Sequence, residues 1–295
     1  MADDQSVKNA TSTQEAIEDA KQVVFPEGAI RVLDKGFVKL VDHMGDDASI
    51  VQSARVSYGD GTKTPSEDET LIRYLMRHRH TTPFEMVEFK FHCRMPIFVA
   101  RQWVRHRTAS INEVSGRYSE MPDLFYEPEA AVCTTQSDNN KQGGSKESLD
   151  EADKLAESFS SFQKEAYDHY RNFLQMNMRR ELARVNLPIS LYTEWYWKID
   201  LHNLLHFLEL RISGHAQYEI RVFAEAMAAL IKPLVPLTWQ AFEDYRLHSC
   251  SFSGPEMRAL GVLLSGGTLE EEALKEMIPN ARERREFLGK INSNT

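Results

Sequence analysis

The 295-residue sequence has little of what marks several common protein classes. Its three cysteines, Cys93, Cys133 and Cys250, are odd in number and far apart, which argues against a secreted disulfide framework. No CxxC pair occurs, so zinc-ribbon layouts are excluded. His202 and His206 stand at i, i+4, but without an HExxH pattern, and no metal site is expected. No apolar run approaches the roughly 18 residues of a membrane span. The first twenty residues are acidic and polar and lack the apolar core of a signal peptide. The expected location is the cytoplasm, with no membrane partner. Gly-x-Gly-x-x-Gly and Walker motifs are missing, so no Rossmann or P-loop unit is expected. Net positive charge is missing too: the chain carries −9, which disfavours nucleic acid as a partner.

What is present is core-forming sequence in ordinary amount, 42% hydrophobic and 27% charged. Residues 1–30 read as a polar extension, 31–248 as the core domain and 249–295 as a C-terminal extension with two short charged helices. Val32 to Gly45 predicts two strands turning at Gly36, and Asp47 onward a helix. Gly59 to Pro65 is turn-rich, and Ser66 with Glu69 predicts a capping box for a helix reaching about Arg79. Phe84 to Met95 reads as a strand, because Val87, Phe89, Phe91 and Cys93 alternate with Glu88, Lys90 and His92. Pro96 then predicts a helix running to about Arg107. Residues 134–148 are small and polar, a surface loop or disordered insert. Ser148 to Met178 predicts a long helix buried through Leu155, Phe159, Phe162, Ala166, Tyr170 and Phe173. Asp200 is placed to cap a helix carrying Leu201, Leu204, Leu205 and Leu208, and further helices are expected at Ala216–Ile231 and Trp239–Tyr245. Helices outnumber early strands. The fold class is α+β, a small antiparallel or mixed sheet packed with several helices.

The densest chemical feature is Arg101 to Tyr118, RQWVRHRTASINEVSGRY. Within residues 101–117, Arg101, Arg105, Arg107 and Arg117 face one acid, Glu113. On the expected helix, Arg101 and Arg105 form one i, i+4 pair and Gln102 and His106 another. Ser110, Asn112, Ser115 and Gly116 follow, short side chains suited to wrapping a small anion. Guanidinium forks match phosphate oxygens two at a time, so a mononucleotide phosphate is the natural occupant. The plainer reading is a solvated salt-bridge face. Ser115 could also be read as a nucleophile beside His106, but no orienting acid stands at a convincing spacing, and a phosphate ligand is favoured. Trp195, Tyr196 and Trp197 read as core rather than as a stacking platform.

Arg105-His106-Arg107, seven residues, then Ser115 resembles the signature of the flavin-dependent thymidylate synthases. So do ARVSY (Ala54 to Tyr58), HTTPFE (His80 to Glu85), PIFVARQWVRHR and NEVSGRY. ELAR-x-x-LP (Glu181 to Pro188) and HFLELR-x-x-x-HAQ-x-EI (His206 to Ile220) follow in the family's order, over about residues 31–246. The resemblance implies FAD at Thr82, Arg105, His106, Arg107 and Glu113, and again at Asp200, Leu201, His202 and His206. It implies a deoxyuridylate site at Gln102, Trp103, Val104, Arg105, Glu113, Val114, Ser115, Gly116, Arg117 and Arg184, with Arg211 at the pyrimidine as the catalytic group. Arg117 and Ser115 are expected to hold the phosphate, with Gln102 assisting. The implied reaction is reductive methylation of deoxyuridylate to thymidylate. Methylenetetrahydrofolate is the one-carbon donor and NADPH the source of reducing equivalents, and sites are shared within a homotetramer. The alternative of another class is a non-catalytic nucleotide- or RNA-binding module using the Arg101–Arg117 cluster. The acidic net charge counts against it.

Overall fold

The computed structural model describes residues 23–56, 65–137 and 143–292. Residues 1–22, most of the turn before Pro65 and residues 138–142 lie outside it, as does the side chain of Ser66 in the expected capping box. The chain divides into two compact units, residues 1–241 and 242–295.

The first unit is built on a five-stranded antiparallel sheet. Its strands are β1 (Ile30–Val32), β2 (Gly36–Met44), β3 (Glu88–Pro96), β4 (Ser110–Glu113) and β7 (Tyr192–Asp200). A separate hairpin pairs β5 (Thr134–Gln136) with β6 (Gly144–Ser148). The sheet order is β1-β2-β3-β7-β4. β3 and β7 pair along their whole length, from Glu88 opposite Asp200 to Pro96 opposite Tyr192. The α+β expectation with a small antiparallel sheet is met. Gly36 is required at the β1–β2 turn, since a Cβ there would lie 2.6 Å from the Val32 carbonyl and 2.8 Å from that of Arg94.

Strand alternation gives the sheet one apolar and one polar face. Phe89, Phe91, Cys93, Trp195, Trp197 and Ile199 point into the core. Lys90 pairs with Asp42 and Lys198 with Glu88 on the other side. The helices are α1 (Asp47–Arg55), α2 (Pro65–Arg77), α3 (Thr82–Glu85) and α4 (Ile97–Trp103). After them come α5 (Ala152–Gln175), α6 (Arg180–Ala183), α7 (Leu201–Ile212), α8 (Tyr218–Ile231) and α9 (Pro236–Phe242). α4 packs on β3 and β7, and α8 on β1 and β2. Trp103 closes α4 by standing edge-on to Trp195 at 5.4 Å and to Trp197 at 5.2 Å, the favoured arrangement for ring quadrupoles. It is fully buried, and truncation to alanine costs roughly 3–5 kcal/mol in such a site.

Several local expectations are corrected. Thr82–Glu85 is a helical turn, so the strand starts at Glu88 rather than Phe84. α4 stops at Trp103 instead of Arg107. With Trp103 fixed in the core and β4 starting at Ser110 beside β7, the chain has to turn between them. It tightens through His106 N–H to the Trp103 carbonyl at 3.0 Å. Arg105 and His106 therefore lie beyond the helix that carries Arg101 and Gln102. The polar insert holds the β5–β6 hairpin. α5 keeps its expected face only towards its C-terminal end, where Tyr170 is buried and Phe173 packs on the core; nearer its start Gln163 points inward instead, Phe162 is 71% exposed and Leu155 and Phe159 are also exposed. The reason is polar anchoring, because Gln163 Nε2 donates to the Tyr126 carbonyl at 2.8 Å and Tyr170 Oη accepts the Met121 N–H at 2.9 Å. α9 begins at Pro236, three residues early. The Asp47 carboxylate accepts the N–H groups of Leu237 and Thr238 at 2.7 and 3.0 Å.

The second unit contains α10 (Gly254–Leu264), α11 (Glu271–Met277) and α12 (Ala281–Asn292), three helices where two were expected. They share the core of Ala259, Leu274, Ile278 and Phe287. The Ser253 N–H donates to Glu256 at 2.7 Å, and the same carboxylate takes Lys290 at 2.7 Å.

Candidate active site

Two polar centres grow out of the turns that follow α4. The first joins residues 105 positions apart in the sequence. Arg211, in the last turn of α7, donates from Nε to His106 Nε2 at 3.1 Å. His106 also meets Phe207 edge-on at 4.9 Å and His206 at 6.2 Å between ring centroids. Burial, the Arg211 charge and the neighbouring His206 together hold the His106 pKa down at about 4. The imidazole is therefore neutral at pH 7. Because its Nε2 accepts a hydrogen bond, its proton resides on Nδ1. Burial also lowers the Arg211 pKa, yet a guanidinium remains charged throughout the working range.

The second centre is the turn Ser115 to Ser119, closed by the Tyr118 and Ser119 N–H groups on the Ser115 carbonyl, both at 3.1 Å. Ser115 Oγ accepts the Arg117 N–H at 3.3 Å. Gly116 is buried, and a Cβ there would come within 2.7 Å of Met121 Sδ and 3.0 Å of the Arg184 guanidinium. Arg184 thus lies against the backbone of the Ser115–Arg117 turn. The Arg117 side chain is exposed and pairs with Glu181 at 3.4 Å. A pair so exposed is worth about 0–1 kcal/mol, less than the roughly 1.5–3 kcal/mol of a charge-assisted contact to an anion. A phosphate dianion can displace it.

The other predicted residues are distributed unevenly. Arg105 and Arg107 are exposed and have no ion-pair partner among the described residues. Glu113, at the end of β4, accepts Thr193 Oγ1 at 2.5 Å, and Val114 beside it is exposed. Both border a cleft of about 500 Å3 on the polar sheet face, with His92, Arg94, Glu194 and Tyr196. Thr82 is exposed at the start of α3, which packs on α7. Gln102 donates from Nε2 to Gln217 Oε1. Trp103 and Leu201 are fully buried, so only their backbones are open to a ligand, and Val104 is half-buried. The Asp200 carboxylate is occupied by Asn203, accepting its N–H at 2.9 Å and its Nδ2 at 2.7 Å. His202 is half-buried and His206 exposed on α7.

A family model described as thymidylate synthase complementing protein matches residues 39–237. The flavin-dependent thymidylate synthase of Thermus thermophilus is 55% identical over 262 residues, covering 89% of this chain and 95% of its own. That of Ehrlichia ruminantium (strain Welgevonden) is 48% identical over 291 residues, covering 98% and 96%. This chain belongs to the flavin-dependent thymidylate synthase family. Among solved structures, a UMP/dUMP methylase, PolB, from Streptomyces cacaoi bound with 5-Br dUMP superimposes with a TM-score of 0.68 at 34% identity. The match covers 75% of this chain and all of that one.

Sequence reasoning missed the residues behind the family positions. Thr193 holds Glu113, Glu181 pairs with Arg117, and Gln217 with Glu219 stands behind Gln102. Gln217 and Glu219 lay within the quoted HAQ-x-EI motif, but nothing in their spacing marks Gln102 as their partner.

Proposed function

We propose that the chain methylates deoxyuridylate to thymidylate with methylenetetrahydrofolate as carbon donor, NADPH as source of reducing equivalents and FAD as cofactor. Membership of the flavin-dependent thymidylate synthases supports the reaction class. The observation that carries the residue roles is the Arg211–His106 hydrogen bond, which unites a pyrimidine position with a flavin position. The donor set fits FAD: exposed Arg105 and Arg107, lacking ion-pair partners among the described residues, suit its diphosphate, and neutral His106 keeps an Nδ1–H to donate. Thr82, Glu113 and His206 complete that set. Asp200 and Leu201 act on it through backbone groups, since one carboxylate is engaged in capping and the other side chain is buried. When bound, FAD supplies the reducing equivalents that convert the transferred one-carbon unit to a methyl group.

The chain's own residues bind, orient and stabilise charge. Arg117, Arg184, Ser115 and the Gly116 backbone take the phosphate, with Gln102 assisting. Arg211 then faces the pyrimidine. Negative charge grows on N3 and O4 as C5 attacks the one-carbon unit. A guanidinium held in place beforehand stabilises that charge where it develops. The His106 bond leaves the terminal nitrogens of Arg211 for the ring while fixing its plane.

Membership of the family supports the homotetrameric reading, in which sites are completed between subunits. The cytoplasm is the proposed location, consistent with the free thiols of Cys93, Cys133 and Cys250. Purified protein incubated with FAD, NADPH, methylenetetrahydrofolate and deoxyuridylate tests the proposal. Thymidylate should form together with tetrahydrofolate. A colourless protein that binds deoxyuridylate without turnover would support the nucleotide-binding module instead.

A further inference from the structure

Behind Gln102 runs a chain of hydrogen bonds that the substrate residues do not explain. Gln102 donates from Nε2 to Gln217 Oε1. Gln217 donates from its own Nε2 to Glu219 Oε2 at 2.8 Å, and Tyr126 Oη reaches the other oxygen, Glu219 Oε1, at 3.4 Å. Tyr126 is tied down in turn, because its carbonyl accepts Gln163 Nε2 from α5 at 2.8 Å. The chain thus links α4, the start of α8, the loop at Tyr126 and α5.

Its direction follows from its end. An ionised carboxylate only accepts, so Glu219 compels Gln217 to turn its amino group toward it. The carbonyl of Gln217 must then face Gln102, and it can only accept. Gln102 is thereby compelled to present its own amino group. A free glutamine could offer either end of its amide to a ligand at similar cost. This one is held with Nε2 in a defined place, where one hydrogen serves Gln217 and the second remains to be donated. For a residue beside an anion the orientation decides between attraction and repulsion: an N–H binds a phosphate, whereas an amide oxygen repels it.

We propose that Gln217 and Glu219 are positioning residues for the deoxyuridylate phosphate, acting by setting the amide orientation of Gln102. The inference rests on the reading of Gln102 as a phosphate ligand. Neither residue touches the substrate, and both act before chemistry, so the effect belongs to binding and not to turnover.

The test uses the flavin-loaded enzyme, with flavin content and oligomeric state matched between variants. Glu219→Ala removes the anchor and should weaken deoxyuridylate about tenfold in both KM and calorimetric Kd, the scale of one hydrogen bond to an anion. The kcat should stay within about twofold, as for any loss of uniform binding. Glu219→Gln should recover most of the affinity, because its Oε1 can still accept from Gln217. Gln217→Leu removes the acceptor for Gln102 at similar volume and should reproduce the loss, which keeps the proposal testable if Glu219→Ala folds poorly. Deoxyuridine, which has no phosphate, should inhibit parent and variants equally. Unchanged deoxyuridylate affinity in Glu219→Ala and Gln217→Leu would overturn the inference, as would an equal loss for deoxyuridine. A flavin-loaded parent that fails to bind deoxyuridylate would instead overturn the functional reading on which it rests.

Discussion

The Arg211 and Arg117 centres both present a guanidinium, yet they are built in opposite ways. Arg211 is half-buried and hydrogen-bonded to a neutral imidazole, which itself packs edge-on against Phe207, a ring stacked on Trp103. Arg117 is exposed, and among the described residues its side chain is held only by a loose pair with Glu181. The contrast matches what the proposed function asks of each. Charge that appears only during reaction is stabilised best by a group that need not reorganise, in surroundings that exclude water. A phosphate that is charged from the start can be met by mobile cations gathering around it. In the proposed function, Arg211 is thus oriented before the ligand arrives, whereas Arg117 is free to move to it.

The contrast between the two centres breaks most readily at Arg211. Arg211→Ala should lower thymidylate formation by roughly a hundredfold to a thousandfold in kcat, with deoxyuridylate KM changed much less. Arg211→Lys should recover little, since an ammonium keeps the charge but loses the Nε–H that His106 orients. Steady-state kinetics on flavin-matched protein check both. Near-normal turnover would leave Arg211 as a helix C-terminal cation worth about 0.3–1 kcal/mol.

Next in size is Arg117→Ala, which should cost about 1.5–3 kcal/mol of deoxyuridylate binding. It should appear in KM and leave kcat near normal. Gly116→Ala sharpens the same side of the contrast. Its new Cβ must push aside both Met121 Sδ and the Arg184 side chain, and such overpacking costs about 1–3 kcal/mol, only the part that moves Arg184 reaching deoxyuridylate binding. Calorimetric titration with deoxyuridylate reads both variants, and a phosphate-free nucleoside should be affected by neither.

The last effect concerns pH and is read in stability, not in turnover or substrate binding. His106 has its pKa lowered in the folded chain to about 4 from an ordinary 6.5. The unfolded chain therefore takes up a proton between those values when the folded chain does not. His106 contributes full stability above pH 6.5, and that contribution declines as pH falls toward 4. Denaturant unfolding of parent and His106→Gln across this range should show a steeper acid decline in the parent.

How much of this was legible in the sequence depended on whether a residue's role is local. β3 could be read from its alternation and the Asp200 cap from its position, because burial and capping act within a few residues. α5 was legible at Tyr170 and Phe173 but misled nearer its start, where Leu155, Phe159 and Phe162 suggested a core face and the residue that points inward, Gln163, has its partner 37 residues away. The end of α4 was misplaced for a related reason: pairing of β4 with β7, a long-range contact, forces the turn. At the site, the family motifs supplied Arg211 and His106 separately. Their hydrogen bond, and the Gln217–Glu219 chain, required the fold.

The first centre works only if His106 is a neutral acceptor that holds Arg211 in place. The most direct test is a nitrogen-15 NMR titration of the His106 imidazole, assigned by comparison with His106→Gln. The ring should be neutral and protonated on Nδ1, with an apparent pKa of about 4 and therefore no titration at physiological pH. A ring that titrates near the ordinary value of 6.5, or that carries its proton on Nε2, would contradict it.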